Sequence, residues 1–107
     1  MIIRPEKLEA VKEELKKDNI LGMTVTMVSG CGKQKGVTRV YRGTEFMINL
    51  LPKVKVEIVV HDDVVTELIP KLVNAVKTGE IGDGKIFVYN VEQSVKIRTG
   101  ETGNEAI

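Results

Sequence analysis

Two amphipathic stretches set among strand-like runs constrain this chain more than anything else in it. Leu8, Val11 and Leu15 repeat at helical spacing with Glu and Lys between them. Pro5 sits where the first turn of a helix tolerates proline, and Asp18-Asn19 ends the run. A second, wider stripe comprises Val64, Val65, Leu68, Ile69, Leu72, Val73 and Val76. Asp62 is placed to cap it and Thr78-Gly79 to end it, while Pro70 is expected to kink it or delay its start. Ile2 and Ile3 read as the end of a strand. Residues 23–28 (MTVTMV) alternate, and 54–60 (VKVEIVV) put Val54, Val56 and Ile58 on one face. Residues 85–91 and the shorter 95–98 (VKIR) complete the strand-like runs, and the polar tail from about 99 to 107 is expected to fray unless a ligand or neighbour orders it.

The order is thus β-α-β, β-α-β. It predicts an α+β, ferredoxin-like βαββαβ sandwich with two helices on one face of an antiparallel sheet. The whole chain of 107 residues makes one domain. The anomaly is the link from Gly30 to Pro52, since connections between strands usually take about 2–5 residues. It carries Lys33, Lys35, Arg39 and Arg42 against Glu45 alone, together with Tyr41 and Phe46. A long basic segment with aromatics in a compact domain points to function. The net charge of +1 supplies no global field for nucleic acid, so no nucleic-acid partner is expected.

Two glycine-and-lysine stretches flank strand-like runs: GCGKQKG at 30–36 and GEIGDGK at 79–85. Glycine tolerates positive φ, so successive N–H groups can point at one anion, and lysine adds a mobile charge. Two readings stand: a pair of ordinary turns, or a nucleotide gripped from two sides. GEIGDGKI is not a phosphate loop of the G-x-x-x-x-G-K-[ST] kind. Ile86 replaces the hydroxyl residue, and a strand-like run follows where a helix is required. The one cysteine, Cys31, excludes an internal disulfide and suits a reducing cytosol. The opening MIIRPEKL is unlike a signal peptide, and no apolar run nears the length that spans a bilayer.

At GKQKG (32–36), YRGTEF (41–46), LPKVKVEIVV (51–60), TGEIGDGKIFVY (78–89) and KIRTGE (96–101), the chain closely resembles the PII family of nitrogen-regulatory signal proteins. The resemblance implies a homotrimer with sheets lining its centre and nucleotide sites in the clefts between subunits. It implies that ATP and ADP compete for each cleft, and that 2-oxoglutarate binds beside ATP through a shared Mg²⁺. The link, about 32–52, would be the family's T-loop, which touches targets such as ammonium transporters and nitrogen-metabolism enzymes or regulators. The protein would be cytoplasmic, and reversibly membrane-associated when bound to a transporter.

Residue by residue, the resemblance implies that Gly82, Asp83, Gly84 and Lys85 grip the polyphosphate. Gly22, Met23, Thr24, Glu57, Ile58 and Val59 would form the adenine side, with Ile2 at the start of the pocket's wall. Gly30, Gly32, Lys33 and Gln34 would line the nucleotide at the base of the loop. Lys96 and Arg98 would reach phosphates from the neighbouring subunit, Lys96 standing where arginine is common. The Gln34 side-chain oxygen would complete the Mg²⁺ shell. Lys53 would neutralise the effector's distal carboxylate, with the N–H groups of Lys35 and Gly36 and the Gly82 position at the same end. Tyr41, Arg42, Gly43 and Phe46 would meet the target, Arg42 as a cationic plug for a channel mouth.

Two departures from the family matter. The tyrosine that many members have uridylylated or adenylylated is here Phe46, which has no hydroxyl, so no nucleotidyl modification is expected. Thr44 stands where some relatives carry a phosphorylated serine. The chain also opens only one residue before IIRP, which would shorten the first strand. The expected function is therefore a non-catalytic sensor. The alternatives are a related nucleotide-binding regulator with another effector or target, such as nitrogenase, and a slow ATP hydrolase. A hydrolase needs a base to orient water. His61, the single histidine, reads as a surface residue without a partner, and Asp83 reads as shaping its turn.

Overall fold

A computed structural model gives the architecture; it describes residues 1–32, 37–41, 44–48 and 50–107, and for 37–41 and 44–48 the backbone alone. Strand β1 (Ile2–Ile3) leads through a 3-10 turn at Pro5–Lys7 into helix α1 (Leu8–Lys17). Strand β2 (Thr24–Gly30) follows, then β3 (Val37–Tyr41), β4 (Thr44–Ile48) and β5 (Leu51–Glu57). Helix α2 (Asp62–Val76), the short β6 (Gly84–Lys85) and a 3-10 turn at Gly103–Ala106 complete the chain.

Strands β2, β5, β1 and β6 form one antiparallel sheet in that order. With the β3–β4 ribbon set aside, this is the ferredoxin-like order, as the alternation of elements predicts. The core is where the two helical stripes meet the sheet. Val11 and Leu15 of α1 and Leu68, Leu72 and Val76 of α2 are buried against Ile3, Val54 and Val56. Helix α1 stops as expected. Asn19 adopts the left-handed φ of 58°, Ile20 N–H donates to Leu15 C=O and Asn19 N–H to Lys16 C=O. That pair of bonds satisfies carbonyls the helix end would otherwise leave open. Lys71 of α2 then donates to Asp18 at 2.9 Å, tying the two helices at this end.

Several expectations need correction. Asp62 is the first residue of α2 and not its cap; His61 occupies the cap position and makes no side-chain capping bond. Pro70 lies inside the helix, which neither stops nor starts late because of it. Pro70 is exposed, so the Thr66 carbonyl that loses its amide partner can turn to water. The VKVEIVV run stays a strand only to Glu57, and its second face is mainly charged, with Lys55 Nζ 3.5 Å from Glu57.

The strand expected at 85–91 is hydrogen-bonded only at Gly84–Lys85, because β1 offers only two residues to pair with. The strand expected at 95–98 reduces to one bridge between Val95 and Thr102. Lys96 N–H donates to Glu101 C=O, Gly100 N–H to Lys96 C=O and Gly103 N–H to Ser94 C=O, which folds 94–103 back on itself. Within the long link, β3 and β4 pair antiparallel from Val37↔Ile48 to Tyr41↔Thr44, where the sequence suggested only a loop.

Candidate nucleotide site

The glycine-rich turn at 79–85 is held by Ile2, Arg4 and Lys53, which are distant in sequence, and by Thr78 beside it. Gly79, Gly82 and Gly84 all have positive φ, at 89°, 106° and 105°. At Gly84 the requirement is also steric, since a Cβ there would lie 1.9 Å from the Ile2 carbonyl oxygen. Strand β1 therefore presses directly on the turn, and only glycine fits the gap.

Asp83 organises the turn from within. One carboxylate oxygen accepts the Thr78 and Gly79 N–H groups, both at 2.9 Å. The other accepts the Thr78 hydroxyl, and Arg4 Nε at 3.2 Å. The bonds from Thr78, then that from Gly79 and the Arg4 guanidinium, hold the Asp83 carboxyl well below the usual carboxylate range, against a smaller opposing effect of burial. The carboxylate is thus occupied in shaping the turn, as expected of it there. The second fork of Arg4, Nη2, donates to the Ile81 carbonyl at 2.9 Å. Arg4 and Thr78 belong to this site, and the sequence reading missed the role of both. Arg4 sits 79 residues from Asp83 and no spacing pattern links them. Thr78 carried a usable signal, a hydroxyl five residues before an aspartate across a glycine turn.

Lys53 Nζ donates to the Gly82 carbonyl at 2.8 Å. The lysine expected to hold an effector carboxylate and the turn expected to hold phosphate are therefore in contact. The Lys53 stem also lies 3.4 Å from the Cβ position of Gly30, where β2 gives way to the long link. Lys85 is exposed and makes no ion pair among the described residues. In register it shares a row with Ile2, Lys55 and Thr26 on the sheet face away from the helices.

Thr24 and Glu57 are direct partners across β2 and β5, at the far end of the same face. Gly22 and Met23 lead into that end, and Ile58 and Val59 leave it. Glu57 stands four residues from Lys53 on β5, about 13 Å by strand rise. Lys96 is paired with Glu101 at 3.8 Å, and Arg98 is exposed. Neither is bonded to the 79–85 turn among the described residues. Gly32 is exposed at the mouth of the link. Lys33, Gln34, Lys35, Gly36, Arg42 and Gly43 lie outside the described residues, as do the side chains of Tyr41, Thr44 and Phe46. The metal role assigned to Gln34 falls there too. Among the described residues no three His, Cys, Asp or Glu side chains cluster to hold a metal, and no helix is long and apolar enough to cross a membrane.

An antiparallel four-stranded sheet under two helices, with a glycine-rich turn beside the root of a long basic segment, is a ferredoxin-like α+β domain. The family model described as nitrogen regulatory protein P-II matches residues 1–101. The nitrogen regulatory protein P-II of Haemophilus influenzae is 52% identical over 106 residues, which cover 99% of this chain and 95% of that protein. Nitrogen regulatory protein P-II 1 of Escherichia coli K12 is 53% identical over the same share of both chains. The crystal structure of Arabidopsis thaliana PII bound to citrate superposes with a TM-score of 0.79 at 40% identity, over 99% of this chain and 86% of that one. The chain belongs to the P-II family of nitrogen regulatory proteins.

Proposed function

We propose that this chain is a nitrogen-status sensor that binds ATP or ADP and, through Mg²⁺ held with Gln34, 2-oxoglutarate. The ligands set the conformation of the 32–52 segment, which contacts ammonium transporters or nitrogen-metabolism enzymes and regulators. The observation that carries this reading is the 2.8 Å bond from Lys53 to the Gly82 carbonyl. It joins the proposed effector lysine to the proposed phosphate turn at the root of the target-binding segment. An effector carboxylate that engages Lys53 competes with that carbonyl. One ligand therefore gains a differential contact with the site of the other, as allosteric coupling requires. Citrate on the Arabidopsis relative supports a family site suited to polycarboxylates.

The nucleotide cleft is proposed to lie between subunits of a homotrimer. Thr24 and Glu57 would supply the base pocket, Gly82 to Lys85 the phosphate turn, and Lys96 and Arg98 of a neighbouring copy the outer cations. That among the described residues Lys96 pairs with Glu101 rather than with the 79–85 turn accords with this division. Catalysis is not part of the proposal, because Asp83 is committed to Thr78, Gly79 and Arg4, and His61 is exposed. The cytoplasmic setting is proposed on the same family ground.

Calorimetry with 2-oxoglutarate, with and without Mg-ATP, tests the reading. Saturable effector binding is expected only with Mg-ATP, and is expected to vanish in Gln34→Ala. Nucleotide binding with no effector response would instead assign the chain to a related regulator with another signal.

A further inference from the structure

We propose that Arg4 is a positioning residue of the nucleotide site, one that orients the backbone N–H groups of the 79–85 turn without touching the ligand itself. The inference rests on the nucleotide reading above. Every peptide bond in the described chain is trans, so the C=O and N–H of one peptide unit point in opposite directions. Arg4 Nη2 draws the Ile81 carbonyl inward, which turns the Gly82 N–H away from Arg4. Lys53 draws the Gly82 carbonyl to itself, which turns the Asp83 N–H away from Lys53. Among the described residues neither of these amides has a protein acceptor. Two successive N–H groups freed in this way, beside positive-φ glycines and the exposed Lys85, make a cradle suited to a phosphate oxygen.

Arginine suits this role because its planar fork engages two acceptors at once. Nη2 holds the Ile81 carbonyl while Nε holds the Asp83 carboxylate at 3.2 Å. Asp83 in turn fixes the Thr78 and Gly79 amides, so one side chain from the start of α1's approach sets both halves of the turn. A lysine at this position keeps the charge but has no fixed fork to hold both acceptors.

The test compares wild type, Arg4→Lys and Arg4→Ala by ATP calorimetry at a temperature where circular dichroism shows each variant folded. Amide hydrogen exchange at Thr78 and Gly79 is followed in parallel. ATP affinity is expected to fall about tenfold in Arg4→Ala, with Arg4→Lys between it and wild type. Exchange at Thr78 and Gly79 is expected to speed up in the same order. Unchanged ATP affinity in folded Arg4→Ala overturns the proposal and leaves Arg4 a purely stabilising residue. If Arg4→Ala does not fold, Arg4→Lys decides alone: wild-type affinity overturns the proposal, weakened affinity supports it. If wild type binds no ATP, the nucleotide reading fails by itself. The exchange data then still show whether Arg4 sets the turn, and unchanged exchange overturns that as well.

Discussion

The turn at 78–85 and the stretch at 86–98 are neighbours in sequence but are held by opposite means. The turn is polar and is fixed by named bonds from Arg4, Lys53 and Thr78. The stretch that follows carries apolar side chains that remain in water: Phe87 is 60% exposed, Tyr89 71% and Ile97 99%. Beside it a groove of about 1320 Å³ opens between 86–94, α2 and the end of β5. Directional bonds fix the turn within one chain, because the Arg4, Lys53 and Thr78 donors find their acceptors there. Hydrophobic residues at strand spacing fix nothing until a second surface removes them from water. The conformation of the turn is thus set by bonds within the chain, while the segment after it presents surface.

The largest expected effect that tests this contrast is at Gly84. Gly84→Ala sets a Cβ against the Ile2 carbonyl in a left-handed conformation, and is expected to cost about 4 kcal/mol in urea unfolding. A cost under about 1 kcal/mol would mean that β1 yields and the turn is not rigidly seated.

The next effect is on acid stability. The folded-state pKa of Asp83 lies below its unfolded value of about 3.9. Its contribution is therefore present above that unfolded value and is lost as pH falls from about 4 toward the depressed folded pKa. Urea midpoints at pH 7 and pH 3 are expected to differ less in Asp83→Asn than in wild type. An equal difference would show that other carboxylates govern acid unfolding.

The smallest effect is expected in the exposed stretch. Phe87→Ser should stay within about 0.5 kcal/mol of wild type, because most of the ring is already in water. Melting at two protein concentrations checks this. A loss of Tm that depends on concentration would mean that another copy of the proposed homotrimer is the second surface that covers the stretch.

The same contrast explains what could be read from sequence. Val11 and Leu15, or Leu68, Leu72 and Val76, announce themselves because helical period and burial coincide. Asp18-Asn19 was legible as a stop, because Asn accepts the left-handed φ that the helix end needs. The glycines and lysine of 79–85 were legible as a candidate anion turn, but Arg4 was not, because nothing local pairs positions 79 residues apart. Residues 86–91 have the composition of a strand. A strand also needs a partner edge, and two-residue β1 does not provide it. The pairing of β3 with β4 was hidden for the opposite reason, since basic and polar residues masked the alternation.

The bond between Arg4 and Asp83 also bears on how the protein is made. Residue 4 leaves the ribosome long before residue 83, so the 78–85 turn closes only when nearly the whole chain has been synthesised. A product ending before Asp83 carries α1, β2, β5 and α2 but lacks the carboxylate that joins Arg4 to the turn. The proposed nucleotide site is thus complete only once translation has run almost to its end.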